Sequence, residues 1–150
     1  MSRDAVRAEE LSLLLMRASS AVAERINSAV VAAGHTGLRP VHGLVFARIS
    51  GTGASVNQIA DHLGITKQSA SAIIEALTRD GYVRRRPDPA DRRASIIELT
   101  ARGRQVTVAA ARAATDEVAR LEARWGPAAM ESFTGMLDDL AADGTPRPVW

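Results

Sequence analysis

Apolar residues recur at steps of three and four along most of this chain, which is the spacing of one face of an α-helix. The pattern is interrupted at glycines and prolines, which commonly mark the ends of helices. The chain is therefore expected to be mainly α-helical. We predict helices at residues 4–33, 40–49 and 101–124, two short helices on either side of Gly64, and a last helix that begins at Pro127.

The segment around Gly64 predicts two short helices joined by a tight turn. Ser55, followed three residues later by Gln58, is typical of a capping box at a helix start. Gly64 stands where a helix commonly ends in a left-handed residue, and Thr66 can cap the next helix. Small and apolar residues at helical spacing favour a helix-turn-helix over an ordinary helical hairpin, which is the alternative. These residues are Ala60, Ile65, Ala70 and Ile73.

A basic β-hairpin follows the second helix. The pair Asp80-Gly81 predicts a turn, and two short runs of strand-forming residues flank a tip at residues 87–91. Five arginines lie between positions 84 and 93, against two aspartates. A solvated charged hairpin is the plain alternative, since charge runs usually face water. Directly after a helix-turn-helix, however, a basic hairpin is typical of the wing of a winged helix, and the combination indicates nucleic-acid binding.

The distribution of charge supports this interpretation better than its total. The chain of 150 residues carries a net charge of only +2, but residues 51–104 hold nine Lys and Arg against six Asp and Glu. This length suits one domain or one subunit of an intertwined oligomer. The chain has no cysteine, which excludes disulfides, cysteine metal sites and thiol-based sensing.

Other function classes find little support in the sequence. No segment approaches the ~20 apolar residues of a membrane span, and the N-terminal apolar run is too short for a signal peptide, so we expect a cytoplasmic protein. No metalloprotease, nucleophile-elbow or phosphate-loop motif occurs, so we expect no enzymatic activity and no cofactor. The three histidines, His35, His42 and His62, are spread over a loop and two helices. We therefore expect no metal site, and a metal-sensing regulator remains an alternative.

Asp91 and Arg93, followed by Leu99 and Thr100, form the pattern D-x-R-x-x-x-x-x-L-T within the hairpin. This pattern resembles the wing signature of the MarR family of bacterial transcriptional regulators. The resemblance implies a winged helix-turn-helix at residues 37–100 and dimerisation helices at residues 1–36 and 101–150 of an intertwined homodimer. It extends to Ile59-Ala60, Leu63-Gly64-Ile65, Leu77, Gly81-Tyr82-Val83 and Arg102-Gly103.

The second short helix supplies most candidate contacts with DNA. Thr66 and Ser69, close to the free N–H groups of the helix start, are suited to phosphate, and Ser55 at the start of the preceding helix joins them. The family often carries arginine where Ala72 stands, so the resemblance implies less guanine readout and more weight on DNA shape. The residues expected to face outward, toward bases and backbone, are Lys67, Gln68, Ser71, Ala72 and Glu75.

The hairpin supplies the remaining candidates. The resemblance implies that Asp91 holds an arginine side chain and that Arg93 enters the minor groove, where narrow A·T-rich segments concentrate negative potential. The other arginines are candidates for phosphate contacts, although strand alternation points some of them away from DNA. These are Arg84, Arg85, Arg86 and Arg92.

These observations predict a transcriptional regulator that binds a pseudo-palindromic operator as a homodimer. The resemblance implies repression, relieved by a small aromatic or phenolic effector in a cleft between the dimerisation helices and the DNA-binding region. An architectural DNA-coating protein without an effector is the alternative. Positions plausible for the cleft are Leu11, Leu15, Val41, His42 and Phe46.

Overall fold

A computed structural model describes residues 8–91, 93–142 and 144, and in this part of the chain the fold is mainly α-helical, as predicted. The N-terminal residues 4–7 of the first predicted helix lie outside the described residues. The elements in chain order are α1 (Ala8–Ala32), α2 (Pro40–Ile49), α3 (Val56–Leu63), α4 (Lys67–Arg79), β1 (Val83–Pro87), β2 (Ser95–Leu99), α5 (Ala101–Trp125) and α6 (Pro127–Ala141).

Local capping chemistry explains where these helices begin. The Ser55 hydroxyl accepts from the backbone N–H of Gln58 at 3.2 Å, and the Gln58 side chain accepts from the Ser55 N–H at 2.9 Å, which confirms the capping box. Gly64 ends α3 at a φ of 65°, as expected for a left-handed residue. Thr66 and Thr100 cap α4 and α5 through their hydroxyl oxygens.

The two strands form an antiparallel hairpin in which Val83 pairs with Leu99 and Arg85 with Ile97. Ala54, which precedes α3, pairs with Ile97 on the outer side of β2 as a single-residue antiparallel bridge. Two backbone hydrogen bonds of 3.1 and 2.8 Å form this bridge. The hairpin is thereby fastened to the start of the helix-turn-helix.

One apolar core joins α2, α3, α4, the hairpin and the first turns of α5. Its fully buried members include Val45, Ile59, Ile74, Tyr82 and Ile97. Helices α3 and α4 contribute buried apolar faces to this core, although Ile73 of α4 is only half-buried. The core therefore holds the helix-turn-helix and the hairpin as one unit.

The long helices α1 and α5 pack against each other outside this unit. The buried carboxylate of Glu117 on α5 accepts hydrogen bonds from Arg25 of α1 at 2.8 Å and from Arg120 at 2.8 and 2.9 Å. These bonds, that of Arg120 foremost, lower the pKa of Glu117 to about 2, so the carboxylate remains charged. No helix within the described residues is long and apolar enough to cross a membrane.

Two glycines allow close approaches that any side chain would block. Gly53 has a φ of 78°, and a Cβ there would overlap Ile97. Gly103, in the first turn of α5, lies so close to the carbonyl oxygen of Tyr82 that a Cβ would overlap it. The entry of α5 into the core thus depends on the absence of a side chain at position 103.

We expect Gly103→Ala to reduce the free energy of unfolding by at least the ~1–3 kcal/mol typical of overpacking. Urea denaturation at matched protein concentration measures this, because an oligomer's stability depends on concentration. Gly43→Ala is the matched control: Gly43 lies in α2 with nothing near its Cβ position, so it should gain roughly 0.5–1 kcal/mol. Equal stability of the Gly103→Ala variant and the wild type would contradict the close-approach argument.

Candidate nucleic-acid interface

Helix α4 exposes a polar face beside the hairpin. Ala70, Ile74 and Leu77 are buried, and most residues on the opposite side of the helix are exposed to solvent. Four of the five residues expected to face outward do so, namely Lys67, Gln68, Ala72 and Glu75. Ser71, also expected to face outward, is half-buried, which leaves it less area for contact with DNA.

The hydroxyls at the start of α4 and α3 are engaged in capping. Thr66 Oγ1 accepts from the Ser69 N–H at 3.1 Å, and the two hydroxyl oxygens lie 2.9 Å apart. Ser55 caps α3 in the same way. These side chains are exposed or half-buried, so each can still bond to a phosphate while it holds its helix start.

On one face of the hairpin, two arginines bind a single carboxylate. Arg84 donates through Nε to Glu98 Oε1 at 2.7 Å, and Arg86 donates through Nε to Glu98 Oε2 at 3.0 Å. These two arginines, Arg86 foremost, lower the pKa of Glu98. Arg84 and Arg86, the predicted phosphate contacts on this face, are both paired with Glu98 within the protein.

Arg85 occupies the other face of the hairpin. Strand alternation places it on the side of Val83, and its side chain is exposed. Within the described residues it forms no ion pair. Unlike Arg84 and Arg86, Arg85 therefore has no carboxylate partner with which a phosphate would have to compete.

The hairpin tip is shaped by short aspartate turns. Asp88 Oδ1 accepts from the Ala90 N–H at 2.9 Å, and Asp91 Oδ1 accepts from the backbone N–H of Arg93 at 2.9 Å. Asp91 was expected to hold an arginine side chain, whereas in the described residues its carboxylate bonds to a backbone amide. The Arg93 side chain is exposed at the tip, and Arg92 lies outside the described residues.

Tyr82 and Arg102 support α4 and the hairpin from the side of the core. Neither residue was predicted from the sequence to be functional. The Tyr82 hydroxyl donates to the Thr36 carbonyl at 2.9 Å, and the Arg102 guanidinium lies 4.4 Å from the centre of the Tyr82 ring. Arg102 also donates to the carbonyl of Asp80, the residue that ends α4, at 2.8 Å. The sequence signals for them are an aromatic residue directly after the predicted Asp80-Gly81 turn and the place of both residues in the family resemblance.

A cavity of about 340 Å³ lies between α1, α2 and α5. Its lining is mostly apolar, with Asn27, Arg39, Ser50 and Thr107 as the polar members. Of the five residues judged plausible for such a cleft, only Phe46 lines it. Leu11 and Leu15 lie nearer the N-terminal end of α1, and Val41 and His42 lie on the side of α2 that faces away from the cavity. The crossing of the three helices decides which of their faces meet at the cavity.

His42, in the first turn of α2, is a buried histidine. Its Nδ1 accepts from the backbone N–H of Arg39 at 3.1 Å, and within the described residues Nε2 has no hydrogen-bond partner. Burial, with a smaller contribution from Arg39, lowers the pKa of His42 from 6.5 to about 4, and Asp80 acts in the opposite direction. No cluster of three or more potential metal ligands occurs in the part of the chain that the structure describes.

The sequence and the arrangement of these elements are similar to those of known transcriptional regulators. Residues 36–94 match the model of the MarR family. A segment of 54 residues is 37% identical to the transcriptional activatory protein BadR of Rhodopseudomonas palustris, and this match spans 36% of the chain and only 31% of that relative.

Solved structures match over nearly the whole length. The transcriptional repressor CouR, bound to a 23-mer DNA duplex, is 28% identical, with a TM-score of 0.73 over 94% of this chain and 99% of that one. RV1404 from Mycobacterium tuberculosis is 20% identical, with a TM-score of 0.76 over 93% of this chain and 96% of that one, a likeness of fold.

The buried His42 predicts a specific pH dependence. Between pH 6.5 and about 4 the unfolded chain binds a proton at His42 that the folded protein does not, so stability falls as the pH falls through this window. His42→Asn keeps an acceptor near the Arg39 amide but does not titrate, so its free energy of unfolding should fall less steeply. Urea denaturation from pH 7 to pH 4 measures both slopes, and equal slopes would contradict the burial of a neutral His42.

Proposed function

Because this chain belongs to the MarR family of transcriptional regulators, we propose that it regulates transcription by binding a pseudo-palindromic operator as a homodimer. Members of this family are transcription regulators and not enzymes. In this proposal α4 lies in the major groove and Arg93 enters the adjacent minor groove. The observation that carries it is the exposed polar face of α4 next to a hairpin tip where the Arg93 side chain is exposed and has no side-chain partner among the described residues.

The base contacts follow from the residues that α4 exposes. Gln68 can pair bidentately with adenine, and Lys67 can reach guanine or phosphate. Ala72 offers only a methyl group, which suits contact with a thymine methyl rather than readout of guanine. Glu75 can accept from cytosine N4, and Arg93 reads groove width, so part of the specificity comes from DNA shape.

The homodimer is supported by apolar faces that one subunit leaves uncovered. Leu13 and Leu14 of α1 are 59% and 52% exposed, and Met136 and Leu140 of α6 are 64% and 62% exposed. Such a surface on helices outside the core is typical of a protein–protein interface. We propose that residues 1–36 and 101–150 form this dimerisation region and that residues 37–100 bind DNA.

Repression is the direction that the relatives favour. CouR, which matches nearly the whole chain, is named a repressor, whereas BadR, named an activatory protein, matches over only 54 residues. We therefore propose repression as the default action of this protein at its own operator.

Footprinting on the DNA upstream of its own gene tests the function. Two protected half-sites about 34 Å apart are expected, because a two-fold dimer presents its recognition helices to successive major grooves. Arg93→Ala should weaken operator binding in gel shifts by about 1–3 kcal/mol. Arg93→Lys should restore only part of it, since lysine keeps the charge but loses the planar fork.

Arg112→Ala is the control for this series, because Arg112 is exposed on α5, away from the hairpin. Continuous protection along the DNA would instead support the architectural alternative. Unchanged operator affinity in Arg93→Ala would contradict the minor-groove role of Arg93.

The cavity between α1, α2 and α5 is the proposed effector site. Its apolar lining suits an aromatic ring, and Arg39 at its edge can pair with a carboxylate or phenolate. The cavity touches α1 and α5 of the dimerisation region as well as α2, so a ligand there can favour a spacing of the two α4 helices that does not fit the operator. By linkage, such a ligand must bind the DNA-free geometry more tightly.

Ala47→Leu should abolish an effector response without lowering operator affinity, because Ala47 is exposed and lines the cavity. Salicylate serves as the probe of aromatic anions: millimolar salicylate should release the wild type from DNA in gel shifts but not the Ala47→Leu variant. Ala111→Leu, at an exposed position of α5 outside the cavity, is the control. Release of the Ala47→Leu variant at the same salicylate concentration as the wild type would place the effector elsewhere.

A further inference from the structure

Glu98 is the one carboxylate among the described residues on the hairpin face that carries Arg84 and Arg86. Arg84 lies directly opposite Glu98 in the strand register, and Arg86 lies two residues further along the same face. Arg84 also places Nη2 2.7 Å from Oε1, so both carboxylate oxygens are occupied by guanidinium groups. Glu98 is half-buried, whereas Arg84 is 66% and Arg86 39% exposed.

More positive charge surrounds this pair. A polar pocket of about 270 Å³ behind the hairpin is lined by Arg84, Arg86, Arg104 and the loop Gly51–Gly53. Arg104 is tethered by a hydrogen bond of 3.0 Å to the carbonyl of Leu99. In the part of the chain that the structure describes, Glu98 is thus the one acidic residue that lines a pocket with three arginines.

The ion pairs are maintained at neutral pH. The two arginines lower the pKa of Glu98, so protonation does not release them under conditions in which the protein binds DNA. A phosphate that binds Arg84 or Arg86 must therefore compete with a carboxylate already held at hydrogen-bonding distance.

Resting on the proposed DNA-binding function, we propose that Glu98 limits the sequence-independent affinity of the hairpin. It withholds Arg84 and Arg86 from the phosphate backbone, so that Arg93 at the tip and the exposed face of α4 dominate the contacts. Phosphate contacts strengthen binding to every DNA sequence alike. Glu98 therefore raises the ratio of operator affinity to nonspecific affinity. It acts on specificity through the two arginines that it holds and does not itself contact DNA.

Glu98→Gln tests this inference, because glutamine keeps the shape but loses the charge that binds the arginines. Affinity for a mixed-sequence duplex and for the operator is measured by fluorescence anisotropy between 50 and 200 mM salt. With two arginines released, the slope of log Kobs against log salt should steepen by about 1–2. Nonspecific affinity should rise more than operator affinity, which lowers the specificity ratio.

Two matched variants separate this effect from a general loss of negative charge. Asp88→Asn removes a carboxylate from the same hairpin that bonds to a backbone amide rather than to an arginine side chain. Glu117→Gln removes a carboxylate that also binds two arginines, but on α1 and α5. Neither should steepen the salt slope as Glu98→Gln does.

A double-mutant cycle completes the test. Adding Arg84→Ala and Arg86→Ala should change nonspecific affinity little in the wild type and should reverse the gain in Glu98→Gln. Equal slopes for Glu98→Gln and Asp88→Asn, or weaker binding by Glu98→Gln, would overturn the inference while the proposed function stands. If the wild type itself fails to bind duplex DNA, the proposed function fails, and the inference fails with it.

Discussion

The contact between Tyr82 and the first turn of α5 is the constraint on which the rest of the structure depends. The Tyr82 carbonyl accepts from the backbone N–H and the hydroxyl of Thr100, and Gly103 packs against the same oxygen. The Tyr82 hydroxyl bonds to Thr36, and Arg102 covers its ring. One residue thereby joins the end of α4, the hairpin, the loop before α2 and the start of α5. The end of α4 and the start of α5 are therefore held in a fixed relation to each other, because tightly packed contacts resist gradual deformation.

Three acidic residues shape the hairpin and reduce its positive charge. Asp88 and Asp91 bond to backbone amides and fix the shape of the tip, while Glu98 neutralises part of the charge on the strands. Five arginines in ten residues would otherwise repel one another and bind any polyanion. Among the described residues of the hairpin, Arg85 and Arg93 are exposed and form no ion pair, whereas Arg84 and Arg86 share Glu98.

The sequence predicted the helix starts at Pro40, Thr66 and Thr100 and the left-handed turn at Gly64, because each depends on residues within four positions of it. The candidate site was predicted less completely. The outward face of α4 followed from helical periodicity, but the half-burial of Ser71 depends on what packs beside it. The cavity lining was predicted poorly, since only Phe46 of five residues lies there, and lining depends on how α1, α2 and α5 cross.

By itself the sequence determined the order of the elements and the helix-turn-helix with its basic hairpin, and it supplied the candidates for contact with DNA, because these properties reside in local hydrogen bonds and in side-chain periodicity. Only the tertiary structure decided which of those candidate side chains are paired within the protein and which are not. Glu98 lies 14 and 12 positions from the arginines that it binds, and strand register alone brings them together. The same holds for Tyr82 and Thr36, 46 positions apart, since long-range contacts depend on packing that no local pattern encodes.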